Sequence, residues 1–212
     1  VELSGATAAN WVAKSANLLV DALGSPARVG LLLPLHWQTV TLLFAGVATG
    51  ATVVLARAPA DLADCDVAFV SGDTAEAALS AGVDEVFALS GHPLGAPLVS
   101  VPAGAQDYAR EVPSYADHWG GRSPAEVAVK VGGQPLAPLP DLEISPADRV
   151  LLCVDPADPA GLGDLLAVLR AGAAVVLAPA PDVLDLAATA TAERVTATLG
   201  LTVAGVRRLD DA

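Results

Sequence analysis

Between Arg28 and Arg57 the chain carries no Asp, Glu, Lys or Arg. An uncharged run of that length is long enough to cross a bilayer as a helix. Its interior argues for something else. Pro34, His36, Gln38, Thr39, Thr41, Thr49 and Thr52 are spread through it, with Gly46 and Gly50 among them. Its period also changes, from a continuous apolar block (Val29 to Leu33) to helical spacing (Trp37 to Ala48) and back to a β-branched block (Thr52 to Ala56). Strands covered on both faces read as unbroken apolar runs, and parallel neighbours need a helical crossover between them. The segment therefore predicts a buried strand–helix–strand unit of parallel sheet, with no membrane span.

The rest of the chain extends this alternation. A strand is expected at Val1 to Leu3, then a helix from Thr7 to Leu23, with Thr7 as its cap and Gly24 as its stop. Strands follow at Val67 to Val70 and Glu85 to Leu89, with a helix from Thr74 to Ala81 between them. Residues 113–146 are broken by Pro113, Pro124, Pro135, Pro138, Pro140 and Pro146 and hold one expected strand, Val127 to Val131. The second half then repeats the first. Arg149-Val150-Leu151-Leu152 echoes Arg28-Val29-Gly30-Leu31 at an offset of 121, and Gly172 to Ala178 echoes Gly50 to Ala56 at 122. A final strand is expected at Arg194 to Leu199. Internal repetition in this order predicts an α/β protein of two tandem, related subdomains with mostly parallel sheets. The expected division is 1–112, a connecting segment 113–146, and a partial second subdomain 147–212.

Composition narrows the function classes. The chain has 24 acidic and 11 basic side chains, a net charge of −13, and 53% apolar residues. Disorder needs low hydrophobicity, so it is excluded. Nucleic acid is not expected as a partner, because phosphate backbones demand clustered cations and Arg207-Arg208 is the longest basic run. Cys65 and Cys153 are too few for a disulfide scaffold and read as free thiols. No signal-peptide pattern opens the sequence, so a cytoplasmic location is the default expectation.

Chemistry-bearing residues are sparse. His36 and Trp37 open the uncharged helix, at the strand-to-helix turn where open α/β sheets place ligands; helix capping and packing account for the pair as well. Ser90-Gly91-His92 lacks the form of a nucleophile turn. Asp117-His118 offers two ligands where a metal needs three or four. Asp155 and Asp158 fit a helix cap near Gly161 better than a cation site. Gly161-Leu162-Gly163 lacks the third glycine of a dinucleotide fingerprint. No metal and no cofactor are expected.

At Arg28-Val29, Leu32-Leu33-Pro34, Gly50-Ala51 and Val53-Val54-Leu55 the sequence resembles the amino-terminal domain of adenylate-forming (AMP-binding, acyl-CoA synthetase-like) enzymes. Asp148-Arg149-Val150-Leu151, Ala160-Gly161-Leu162 and Ala171-Gly172-Ala173-Ala174-Val175-Val176-Leu177 resemble that domain's second subdomain, and Glu193-Arg194-Val195-Thr196 a later strand. The resemblance implies the acyl-CoA synthetase fold and looks closest to short relatives of that domain. It also implies an ATP-phosphate loop rich in Thr, Ser and Gly and ending Pro-Lys-Gly.

The matching stretch here, Ala125 to Leu136, keeps Gly132-Gly133 but has no Ser/Thr run and no lysine after the glycines; Lys130 precedes them. Where the family has an aromatic-His pair near its acyl pocket, this sequence has Ala157-Asp158. It stops at Ala212, ahead of the family's later nucleotide motifs and its lysine-bearing carboxy-terminal domain. These departures point away from adenylation. The expected function is a non-catalytic protein of interaction or regulation, with a protein partner or a homodimer. The alternative is a small-molecule binder for an adenylate or acyl ligand, and an adenylate-forming ligase completed by a partner chain ranks last. His36, Trp37, Gly132, Gly133 and Asp158 are the residues to follow for ligand binding; none is assigned a catalytic role.

Overall fold

The computed structural model describes residues 2–122, 124 and 127–210. The chain divides into two compact units, Val1–Pro135 and Leu136–Ala212. The stretch expected as a connection, 113–146, is thus shared between them.

The first unit is built on one seven-stranded sheet. Its strands are β1 (Arg28–Leu32), β2 (Thr52–Leu55), β3 (Val67–Ser71), β4 (Glu85–Leu89), β5 (Gln106–Asp107), β6 (Ala128–Val131) and β7 (Gln134–Pro135). They lie in the order β5-β4-β3-β1-β2-β6-β7, all parallel except the β6–β7 pair. The helices are α1 (Gly5–Asn17), α2 (Trp37–Thr49), α3 (Ala75–Ser80) and α4 (Tyr108–Glu111). Alternate strand residues feed two apolar layers. Val54, Ala68, Val70, Val86 and Ala88 pack with Leu62, Cys65, Ala75 and Ala78 on one face. On the other, α2 approaches so closely that a Cβ on Gly46 would lie 2.6 Å from Val53. Phe69 and Phe87 stack 5.3 Å apart, with Tyr108 edge-on to Phe69. The uncharged segment is therefore β1-α2-β2, closed by Gly50 at φ 82 in the left-handed region.

The second unit repeats the plan. Its strands are β8 (Arg149–Leu152), β9 (Ala174–Leu177), β10 (Ala197–Leu199) and β11 (Arg207–Arg208), with helices α5 (Pro159–Arg170) and α6 (Leu186–Ala192). The sheet order is β11-β10-β8-β9, all parallel. Register matches the first unit residue for residue. Arg28 lies opposite Thr52 as Arg149 lies opposite Ala174, and Val29 opposite Val67 as Val150 opposite Ala197. The flanking main-chain bonds correspond too: Thr52 N to Ala27 O with Ala174 N to Asp148 O, and Ala56 N to Leu31 O with Ala178 N to Leu152 O. The chain is an α/β protein with two mostly parallel sheets, as the pattern predicted.

Besides the two-residue strands β5, β7 and β11, which no sequence pattern announces, several differences sit at element ends. The expected amino-terminal strand is not seen among the described residues: Glu2 and Leu3 are irregular, and Val1 lies outside them. Ser4, not Thr7, caps α1, because its hydroxyl accepts the Thr7 amide at 3.1 Å and leaves Thr7 inside the first turn. The strand expected from Arg194 begins at Ala197, since Arg194 takes a left-handed φ of 54 that no strand residue can hold. Cys65 and Cys153 are free thiols. Among the described residues no helix is long and apolar enough to cross a membrane.

Candidate functional site

Open parallel sheets offer ligands the space beyond the carboxyl ends of their strands. In the first unit that edge receives the turn after β1, which delivers His36 and Trp37. His36 is the N-cap of α2, its Nδ1 accepting the Gln38 amide at 3.3 Å. The accepting Nδ1 places the proton on Nε2, which is buried and makes no hydrogen bond of good geometry among the described residues. Burial holds the His36 pKa below the ordinary histidine value, against an opposing effect of the His92 carbonyl. Trp37 is buried, meets Trp11 edge-on at 5.1 Å, and donates its indole N–H to the Pro93 carbonyl at 2.9 Å.

That last bond belongs to a loop, residues 90–98, that folds over the same edge. Its own turns hold it: Ser90 Oγ bonds to the Ala96 carbonyl and accepts the His92 amide, and His92 Nδ1 accepts the Leu94 amide. Trp37 lies 2.7 Å from where a Cβ on Gly95 would stand, and Leu98 2.8 Å from where one on Gly72 would stand. Ser90 and His92 are thus committed to main-chain groups. The ring nitrogens that bond in His36 and His92 meet backbone amides, so neither imidazole is placed as the base of a nucleophile.

Gly132 and Gly133 lie beyond β6 at the same sheet edge. Both have positive φ, 55 and 80, and they join Val131 to its antiparallel partner Gln134. Two left-handed residues between paired strands make a tight hairpin turn of the kind that Gly-Gly favours. The Gly132 amide donates to the Leu55 carbonyl at 3.4 Å. Lys130 is on β6, opposite Val54, and the Arg57 side chain comes beside Gly132. Ala125 and Glu126, at the start of the stretch matched to the phosphate loop, lie outside the described residues.

Asp158 is in the second unit, as the N-cap of α5. Its carboxylate accepts the Ala160 and Gly161 amides, both at 3.1 Å. Asp155 takes the Ala157 amide at 2.8 Å. Half-buried Asp164, one turn into α5, has its pKa raised by burial first and then by Asp210 and Asp158. Among the described residues no group of three or more His, Cys, Asp or Glu could hold a metal ion.

A groove of about 710 Å³ lies elsewhere in the first unit, between α1, α2 and a strap that brings Asp117, His118, Trp119, Gly121, Pro124 and Val127 to it. Val12, Ala13, Phe44, Val47 and Trp119 line it, with Asn10, Asp117 and His118 supplying polar groups. Lys14 and Asn17 tie the strap down. Lys14 Nζ donates to the Pro113 and Tyr115 carbonyls, and Asn17 Nδ2 to those of Ala116 and His118. Sequence reasoning assigned this groove no role, because its apolar residues read as the buried stripe of two amphipathic helices. One of only two lysines, set in the middle of a helix, was the available signal.

A Mycobacterium tuberculosis protein described as a TIGR03089 family protein is 37% identical to this chain, over 94% of the chain and 86% of the relative. The chain belongs to the TIGR03089 family. No protein-family model matches it. Among solved structures, this TIGR03089 chain is similar to the anthranilate CoA ligase AuaEII in complex with anthranoyl-AMP (TM-score 0.69, 17% identity, 92% of this chain, 44% of the ligase). It is also similar to a Mycobacterium tuberculosis fatty acyl CoA synthetase (0.65, 18%, 94% and 44%) and to the N-terminal domain of FACL13 from the same organism (0.64, 17%, 90% and 54%). The TIGR03089 chain therefore has the fold of the amino-terminal domain of adenylate-forming acyl-CoA ligases, and spans about half or less of the length of these structures.

Proposed function

We propose that this TIGR03089-family chain is a non-catalytic scaffold derived from the ligase amino-terminal domain and acts in protein interaction or regulation. The observation that carries the reading is the Gly132-Gly133 turn. A phosphate cradle needs main-chain amides left free and a cation aimed at the anion. Here two residues close a hairpin, the Gly132 amide is used by Leu55, and Lys130 precedes the turn on a strand. ATP would bring several negative charges to a chain already at −13. Asp158, at the place the resemblance gives to an acyl-pocket histidine, is turned to the first amides of α5.

One observation favours the second reading, a small-molecule binder. The groove beside α1 and α2 has the volume of an ordinary ligand site and a mostly apolar lining. A thermal-shift panel of ATP, AMP, CoA and fatty acids separates the two. A ligand held at 100 times its dissociation constant stabilises by about 2.7 kcal/mol, a shift of several degrees for a domain of this size. The scaffold reading expects no shift with any of them. A shift with fatty acid or AMP would replace it with the binder. ATP-dependent pyrophosphate release by the pure chain, lost on Arg57→Ala, would overturn it in favour of catalysis.

A further inference from the structure

The two units differ at one matching edge. In the first, β2 is covered by β6 along its whole length, Thr52 to Leu55 opposite Ala128 to Val131, and Val53, Val54 and Leu55 are buried. In the second, β9 is the counterpart of β2 at an offset of 122, yet among the described residues it ends the sheet. Ala174 is exposed and Val175, Val176 and Leu177 are only half-buried. The main-chain bonds show which groups are left over. The amides of Ala174 and Ala178 point to β8, so by alternation those of Val175 and Leu177 point outward, and no main-chain partner takes them among the described residues.

Exposed edges are usually blunted by charge, proline or shortness. The other sheet ends obey this: β5, β7 and β11 are two residues long, with Asp107, Pro135 and two arginines respectively. Ala-Val-Val-Leu has none of these protections. From this we infer that the outer edge of β9 is a docking site for an extended segment of a protein partner, added parallel to β9 in the register that β6 takes on β2. Such strand addition draws affinity from main-chain bonds and selectivity from alternate side chains. The occupant's chemistry follows from β6, Ala-Val-Lys-Val: β-branched residues opposite Val175 and Leu177, with a cation between them. The charge suits the acceptor, since residues 136–212 hold 11 acidic and 5 basic side chains. A second copy would bring its own β9 to this edge, and two-fold symmetry makes that pairing antiparallel, unlike β6 on β2.

The inference deepens the scaffold reading and rests on it, but its failure is separable, because the nucleotide panel leaves β9 untouched. The probe is a capped peptide of residues 127–134, added to the full chain and followed by amide NMR and hydrogen exchange. The expected result is shifts at the Val175 and Leu177 amides, with exchange slowed about tenfold when peptide is at ten times its dissociation constant. The same peptide N-methylated at Lys130 and Gly132, the amides that face β2, loses the effect. Val175→Pro removes an outward donor while sparing the β8 ladder, and abolishes binding; the methylated peptide tests the same bonds if that variant fails to fold. No shift at either amide at millimolar peptide overturns the inference, as does binding unaffected by methylation. So does a free chain that sediments as a dimer with both amides already protected.

Discussion

Replacing Asp148 by Asn tests how the second unit holds its register. The carboxylate stands where β8 begins and is 12% exposed. Its Oδ2 accepts the Ser145 amide and the Arg207 guanidinium, both at 2.8 Å, and its Oδ1 accepts the Thr196 hydroxyl at 2.8 Å. Thr196 Oγ1 in turn accepts the Arg149 amide at 2.9 Å, so one side chain ties the starts of β8 and β10 to β11. Asn can present its oxygen to only one side. With the amide group facing Thr196, that hydroxyl loses its acceptor, and the bonds at Oδ2 lose their charge. Hydrogen bonds to charged groups contribute roughly 1.5–3 kcal/mol each, so a net loss of about 2 kcal/mol is expected. The Arg207 side chain is 45% exposed, so solvent screening leaves little of this loss to Coulomb attraction.

The assay follows from composition. No Trp, Tyr or Phe lies beyond Trp119, so fluorescence is silent about this unit. Hydrogen exchange of the peptide spanning β8 should speed up about 30-fold at pH 7, the equivalent of about 2 kcal/mol in local opening. The Asp148 pKa is lowered below the ordinary 3.8, first by the Ser145 amide and then, against burial, by Thr196 and Arg207. A depressed carboxyl stabilises above its unfolded pKa and loses that contribution as pH falls through the folded one. The gap between wild type and D148N should therefore hold from pH 7 to about 4 and close below it. A change under about threefold at pH 7, or a gap that does not narrow as pH falls below 4, would refute the assignment.

Other perturbations act at single contacts. Tyr108→Phe removes a buried hydroxyl bonded to Ser15 Oγ at 2.8 Å, while Ser15 keeps its bond to the Trp11 carbonyl; a loss of about 1 kcal/mol is expected in tryptophan-monitored urea unfolding. Lys14→Met keeps the stem but releases the strap carbonyls, and should open residues 113–122 to protease about fivefold faster with little change in global stability. Gly200→Ala would bring a Cβ to within 2.1 Å of the Cys153 carbonyl at a φ of 73. It should cost about 2–3 kcal/mol in the second unit, read by exchange at β10.

Long parallel strands were legible in the sequence because both their faces are apolar. Val29 to Leu33, Thr52 to Ala56 and Val67 to Val70 each fall on an observed strand, within a residue or two at the ends. β5, β7 and β11 escaped because two residues have no period. The cap of α1 was misplaced by three residues since Ser4 and Thr7 are both able caps; which one turns inward is settled by where the chain enters the helix. At the candidate site, His36 was legible as a helix start. The loop that covers the same edge was not, because Trp37 against Gly95 and Leu98 against Gly72 are contacts between distant residues with no pattern to join them. The groove failed for a different reason: an apolar helix stripe looks alike whether it is buried or lines a cleft.

The two units show what repetition preserves. The Arg28 amide that opens β1 is caught by the Asp66 carboxylate, and the Arg149 amide that opens β8 by the Thr196 hydroxyl. Each arginine side chain then pairs with an acid just ahead of the third strand, Asp64 in one unit and Glu193 in the other. The residue types at the matching position, 66 and 196, have diverged, while the bond made to the strand start has not. Backbone register is thus the conserved quantity, and it tolerates any short side chain with an accepting oxygen. Function need not follow the same rule, since a scaffold licenses no particular chemistry. Its signature belongs where the copies depart from each other: a strand edge capped by β6 in one and left open at β9 in the other, with the capping strand ending in a two-glycine turn.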